Sequence, residues 1–250
     1  MTNIKLVIAY DGTDFHGFAR QKNLRTVQGS LETVLGSVLR GPVEVLGSGR
    51  TDAGVHAKAQ VVSFRPDGGP HPDHYPYLLR RMLPHDIAPV SASVVSDRFH
   101  ARFSAQAKTY RYTISRGNLD DVFLRRYVWH VPQALNLEAM YKAATMLVGE
   151  HDFTSFCAAA TPIENKRRHL MELKLVERGT YLDIYCTGNG FLQNMVRILV
   201  GTLVNVGHGR IHADAMPEIL AGLDRRLAGK TAPAHGLTLW EVHYPPDALT

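Results

Sequence analysis

Residues 49–56 read Gly49-Arg50-Thr51-Asp52-Ala53-Gly54-Val55-His56 and place a guanidinium and a carboxylate in one short, glycine-flanked turn. A carboxylate beside a guanidinium stays ionised, which suits a nucleophile or a charge stabiliser and suits a general acid poorly. Gly47, Gly49 and Gly54 let the backbone take positive φ or approach a ligand closely. An aspartate alone in such a turn is more often a turn or capping residue than a catalyst. Arg50 and His56 in the same loop move the balance toward chemistry.

Such a carboxylate has to be held by rigid elements. Residues 42–46 read as a strand before the loop and residues 60–64 as one after it, so Asp52 is expected at a strand end. Residues 4–10 are a strand candidate ended by the Asp11-Gly12 turn signal. Thr26 is a fitting N-cap for a helix whose apolar residues recur at Val27, Leu31, Val34, Leu35, Val38 and Leu39, ending before Gly41-Pro42. A Pro- and Gly-rich stretch at 66–76 leads to a shorter helix over 77–82, and strands are expected near 88–95, 108–114 and 126–131. Met140, Ala143, Ala144, Leu147 and Val148 mark a second amphipathic helix closed by Gly149. Segments 170–176 and 181–186 form a hairpin across Arg178-Gly179-Thr180. A helical stripe over 195–206, a small helix near 213–223 and a closing strand over 237–243 complete the pattern. Strands and helices mix without strict βαβ alternation, which favours an α+β fold with a largely antiparallel mixed sheet.

The chain has 250 residues, 45% hydrophobic and 20% charged, enough to bury one large core or two modest ones. Cys157 and Cys186 show neither disulfide-framework nor zinc-module spacing, which fits a reducing compartment. The first strand candidate begins without a charged leader or a cleavage signal, and Arg197 interrupts the apolar segment 195–206, so no stretch approaches the roughly 18 to 20 apolar residues that span a bilayer. A soluble, cytoplasmic protein with no membrane association is expected. The net charge of +5 is weak evidence for a polyanionic partner. Its distribution says more: Arg98, Arg102, Lys108, Arg111 and Arg116 follow one another with no acid between them, interleaved with Phe99, Phe103, Tyr110 and Tyr112. Charge for phosphates and ring faces for bases are available together, although a solvated strand pair with buried aromatics fits the same window.

Other chemistries find less support. Gly47-Ser48-Gly49 is followed by no Gly-Lys-Ser or Gly-Lys-Thr, so a nucleotide cofactor is not expected. His71 and His74 lie in the Pro- and Gly-rich loop with no matching ligand cluster, so no metal is expected either. No Gly-x-Ser-x-Gly elbow occurs. Arg197, on the apolar stripe of its helix, either meets a carboxylate or snorkels to the surface. Tyr110 is either a core aromatic on a strand or a platform for a base.

A series of motifs runs through the chain: Tyr10-Asp11-Gly12-Thr13, Gln28, residues 49–56, Gln60-Val61-Val62, Phe99-His100-Ala101-Arg102-Phe103, Tyr110-Arg111-Tyr112, Asp152-Phe153-Thr154-Ser155-Phe156 and Met195-Val196-Arg197. In content and order this series resembles the tRNA pseudouridine synthase A family over nearly the whole length. The resemblance implies two α/β lobes, residues 1–105 and 106–250, sharing the sheet with an active-site cleft between them. It implies isomerisation of uridine to pseudouridine at positions 38, 39 and 40 of the tRNA anticodon stem-loop, without cofactor or metal, by a homodimer. Carried across, Asp52 is the catalytic aspartate, Arg50 the arginine that enters the RNA, Tyr110 the tyrosine that packs on the uracil, and Arg197 the basic residue paired with the aspartate. Phe99, His100, Ala101, Arg102 and Phe103 match an RNA-contacting segment. The stretch 160–164 departs from the family pattern, being largely apolar where relatives carry polar or basic residues.

Overall fold

The computed structural model describes residues 2–118 and 121–249. In chain order the elements are β1 (Asn3–Tyr10), α1 (Val27–Leu39), β2 (Leu46–Gly47), β3 (His56–Phe64), α2 (Tyr75–Arg80), β4 (Ile87–Val95), β5 (Ala107–Ser115), β6 (Trp129–His130), α3 (Leu137–Leu147), β7 (Gly149–Asp152), β8 (Arg167–Arg178), β9 (Tyr181–Gly188), α4 (Met195–Gly207), α5 (Met216–Ala221) and β10 (Leu237–His243). The fold is α+β, with strands that pair mostly antiparallel. The chain divides into two compact units, Met1–Lys108 with Thr238–Thr250, and Thr109–Leu237.

In the first unit the strand order is β4-β1-β3-β10, with β2 on β3. β1 lies antiparallel between β3 and β4, whereas β10 runs parallel to β3 through Thr238 opposite His56 and Leu239 opposite Ala57. Alternation along β1 buries Ile4, Leu6, Ile8 and Tyr10. Thr26 caps α1 by accepting from Gly29 N, and the helix buries Val27, Leu31 and Leu35. Phe64 meets Tyr75 of α2 edge to face, ring centres 5.4 Å apart. A second cluster joins Val61, Val95, Phe99 and Ala101, packed against Val7 and Val242 and the terminal Tyr244, Ala248 and Leu249.

In the second unit the order is β5-β9-β8-β7, with β6 parallel to β5. The β8–β9 hairpin closes with Arg178 opposite Tyr181 and Gly179 at φ +57. Helix α4 is buried on nearly every side and packs on α3, so its sequence reads apolar beyond a single stripe.

Several elements differ from the sequence expectation. Of residues 42–46 only Leu46 enters a strand, because Pro42 has no N–H and the Val45 backbone is satisfied by α1 instead. Gln28 Nε2 donates to Val45 O at 3.0 Å and Val45 N donates to Glu32 Oε1 at 3.2 Å. The strand expected over 126–131 shrinks to Trp129–His130, since Asp121 Oδ1 accepts from Phe123 N and Leu124 N and turns the chain just before it. β3 starts at His56 rather than at 60. Helix α2 starts at Tyr75 rather than at 77, continuing a 3-10 turn over Pro72–His74.

The segment that follows α5 lies directly on α4. A Cβ on Gly201 would stand 1.7 Å from Lys230 O, and one on Gly229 2.6 Å from Thr202 Cα. Gly201→Ala is therefore predicted to cost about 2–3 kcal/mol of stability in urea denaturation, because backbone and not a flexible side chain must move; an unchanged midpoint would contradict this packing.

Candidate active site

Asp52 lies on the loop between β2 and β3, half-buried, with Arg50 exposed two residues before it. The backbone on both sides is pinned by the end of β1, by the turn that follows it and by β3. Tyr10 Oη and Thr51 Oγ1 share a buried hydrogen bond of 2.8 Å. Burial pushes the Tyr10 phenol up to about 12, against the pull of its hydrogen bonds to Thr51 and Gln60. The phenol thus stays neutral and keeps the bond. Thr51 O accepts from Phe18 N at 3.1 Å, Val55 N donates to Asp52 O at 3.1 Å, and Gly54 N donates to Phe15 O at 3.3 Å.

Upstream, Gln60 of β3 closes the loop. Ser48 Oγ donates to Gln60 Oε1 at 2.6 Å, Gln60 Nε2 donates to Gly49 O at 3.0 Å, and Ser48 N donates to Val61 O at 2.8 Å. Downstream, His56 is buried and its Nδ1 accepts from Gly12 N at 3.0 Å, with Asp11 Oδ1 3.1 Å away. His56 therefore serves the loop's framework. Gly54 takes φ +76, as the turn requires. Gly47 has a different reason: its Cβ would strike the Phe18 ring at 2.3 Å. Gly12, read from the sequence as a turn signal and part of the Tyr10–Thr13 motif, leaves space for Val55 O, which a Cβ would meet at 1.9 Å.

The second unit holds the other two candidates. Tyr110, on β5, is buried, with its ring 5.1 Å from Phe191 in an edge-to-face contact. Arg197, in the first turn of α4, is half-buried and held along its length. Its Nε donates to Ala232 O at 2.7 Å and its Nη1 to Asn194 Oδ1 at 2.9 Å, while Arg197 O accepts from Ala232 N at 3.0 Å. Asn194 sits in the left-handed region at φ +61, the conformation that carries its amide to Arg197. The guanidinium does not simply extend into solvent. The close approach of the 229–232 segment to α4 fixes it.

The segment 99–103 separates into two parts. Phe99 and Ala101 are buried in the second core cluster, where Asn3 Nδ2 donates to Phe99 O at 2.9 Å and Ala101 N donates to Ser63 Oγ at 3.2 Å. Arg102 and Phe103 are exposed, Phe103 to 76%. The His100 ring lies 4.4 Å from the Phe103 ring, and its Nδ1 accepts from Arg102 N at 3.0 Å. The buried residues anchor a turn that presents a cation and an aromatic face. His71 and His74 are exposed neighbours, ring centres 6.1 Å apart, and among the described residues no group of three His, Cys, Asp or Glu side chains is placed to hold a metal ion. Among the described residues no helix is long and apolar enough to cross a membrane.

What this arrangement offers is a single carboxylate on a rigid loop next to an exposed guanidinium, with further cations and an aromatic on the same unit. A family model described as tRNA pseudouridine synthase matches residues 6–104 and 143–245. The chain is 49% identical to the tRNA pseudouridine synthase A of Brevibacillus brevis, covering 98% of this chain and 100% of that one. It is 48% identical to the protein of the same name from Halalkalibacterium halodurans, over 95% and 90% of the two chains, and 45% identical to that of Bacillus subtilis, over 96% and 98%.

The buried bond between Tyr10 and Thr51 gives a direct test of how the loop is held. Tyr10→Phe and Thr51→Val should each lower unfolding free energy by about 1–2 kcal/mol, and the double variant by clearly less than the sum, since both remove one bond. Additive losses in urea denaturation would show that the two side chains act independently.

Proposed function

The chain belongs to the tRNA pseudouridine synthase family, and from that premise we propose that it isomerises uridine to pseudouridine at positions 38, 39 and 40 of the tRNA anticodon stem-loop, with Asp52 as the catalytic carboxylate on an extruded uridine. The observation that carries this reading is the Asp52 loop itself, whose backbone is tied at Gly49, Thr51, Asp52 and Gly54 while Arg50 beside it stays exposed. A group that must meet a reacting nucleoside needs that kind of fixed carrier.

The reaction breaks the N1–C1′ glycosidic bond, turns the uracil and forms a C5–C1′ bond. The C5 proton is lost and N1 gains one, so substrate and product are isomers and no oxidant or reductant is consumed. An ionised carboxylate serves each available route: addition to C6 of the base, capture of C1′ of the ribose, or removal of the C2′ proton. No metal and no organic cofactor enters any of them.

The target base must first leave its stack, at a cost of a few kcal/mol. Arg50 enters the RNA at the vacated position, and Tyr110 packs on the uracil, a contact worth about 1–3 kcal/mol. Arg197 is the basic member of the catalytic set. From the 99–103 segment, Arg102 meets a phosphate and Phe103 and His100 offer stacking faces, while Phe99 and Ala101 support the turn from within. The enzyme works in the cytoplasm as a homodimer on the anticodon arm of tRNA.

Release of tritium from anticodon-arm RNA labelled at C5 of uridine measures the reaction directly. Asp52→Asn should abolish release while changing RNA affinity by less than about tenfold, because it removes the reacting group and no phosphate contact. Undiminished release by Asp52→Asn would defeat the assignment.

A further inference from the structure

Lys108 stands out among the cations of the first unit. It is half-buried at the start of β5, and among the described residues its ammonium has no hydrogen-bond or ion-pair partner. Burial, and then the neighbouring Arg102 guanidinium, hold its pKa below the ordinary lysine value. Its side chain lies across Gly49: the atoms nearest to where a Gly49 Cβ would stand are Lys108 Cε at 3.4 Å, Nζ at 3.7 Å and Cδ at 3.8 Å. Gly49 has no positive φ and meets no backbone atom that near, so neither turn geometry nor main-chain crowding accounts for a glycine there.

Two cations are thus brought together without a carboxylate between them, one beside the residue that precedes Arg50 and the other beside the exposed Phe103 ring. A protein that needed Lys108 only for packing would do better with an apolar residue of the same length, since a partly buried charge with no partner opposes folding. An arrangement that costs stability and is left unneutralised is what a preformed anion site looks like. On the reading that this chain modifies tRNA, we infer that Lys108, with Arg102, binds a backbone phosphate of the RNA whose uridine is presented to Asp52, and that Gly49 is glycine so that the lysine stem reaches across the loop to it. The ligand is a phosphodiester rather than a free anion, because the adjoining exposed groups, Arg50 and Phe103, are suited to entering and stacking on a polynucleotide.

The test uses the full chain and an anticodon-arm RNA, with affinity measured by fluorescence anisotropy over a range of KCl concentrations. Lys108→Met should weaken binding roughly tenfold near 0.1 M salt and flatten the dependence of log K on log salt by about 0.7 to 0.9, the share of one phosphate contact. Lys108→Arg should retain the slope. Gly49→Val, which puts a branched side chain under the lysine stem, should weaken binding in the same salt-dependent way. The melting temperature of Lys108→Met should equal or exceed that of the wild type, an outcome that a structural role for the lysine would not give. Unchanged affinity and slope in Lys108→Met, or a lowered melting temperature without rescue by arginine, would overturn the inference. So would binding of inorganic phosphate that depends on Lys108 while RNA affinity does not. Tritium release by the wild type is measured alongside. Its absence would refute the modifying activity, whereas its presence together with an unaltered Lys108→Met slope would refute only the phosphate site.

Discussion

The chemistry proposed for this protein depends on a short stretch of backbone that is given almost no freedom. Between Ser48 and His56 the main chain is tied to Gln60 at Gly49 O, to Phe18 at Thr51 O, to Phe15 at Gly54 N, and to Tyr10 through the Thr51 hydroxyl. Most of these ties use backbone atoms or buried hydroxyls, and the Arg50 side chain between them stays exposed. Rigidity of this kind converts a carboxylate on a loop, ordinarily a mobile group, into one whose position is set by a sheet. The glycines around it are part of the same constraint. Gly12 and Gly47 are small because Val55 O and the Phe18 ring occupy the space a side chain would need.

A similar economy appears in the second unit. Arg197 donates to the amide oxygen of Asn194 at the N-cap of α4 and to the carbonyl of Ala232, in a segment that touches α4 closely enough to exclude any side chain at Gly201 and Gly229. Thr202 joins in, accepting from Gly229 N at 2.9 Å while donating to Ile198 O at 2.8 Å. The arginine's direction is therefore a consequence of helix packing, and a defect at Gly201 would be felt at the guanidinium. Tyr112, two residues from Tyr110, is tethered by Tyr112 Oη to Pro233 O at 2.9 Å, so the segment that holds Arg197 also touches the strand that carries Tyr110.

Much of this was legible in the sequence where the cause is local. The capped helix at Val27, the β8–β9 hairpin and the buried helix at Met195 follow from periodicity, an N-cap threonine and a glycine turn. The positive φ of Gly54 is likewise a property of its own turn. What escaped was tertiary in origin. Nothing near Pro42 announces that Gln28 and Glu32 will satisfy the Val45 backbone and leave β2 only two residues long. The bond from Tyr10 to Thr51 spans 41 positions and that from Gln60 to Gly49 crosses a turn whose shape the residues do not declare. The division of 99–103 into two anchoring and two presenting residues also depends on a cluster that includes Tyr244 and Leu249 from the far end of the chain. Residue type and spacing single out Asp52 and Arg50 as candidates, but what makes their loop rigid is visible only in three dimensions.

The central claim is that Asp52 is the group that meets the extruded nucleoside. A crystal structure of the enzyme with anticodon-arm RNA carrying 5-fluorouridine at the target position examines it most directly, since fluorine at C5 cannot leave as a proton and holds the nucleoside after rearrangement. The account predicts the modified nucleoside out of its helix, with an Asp52 carboxylate oxygen in contact with its base or ribose and Arg50 in the space it left. A nucleoside lodged elsewhere, with Asp52 turned away from it, would contradict the account.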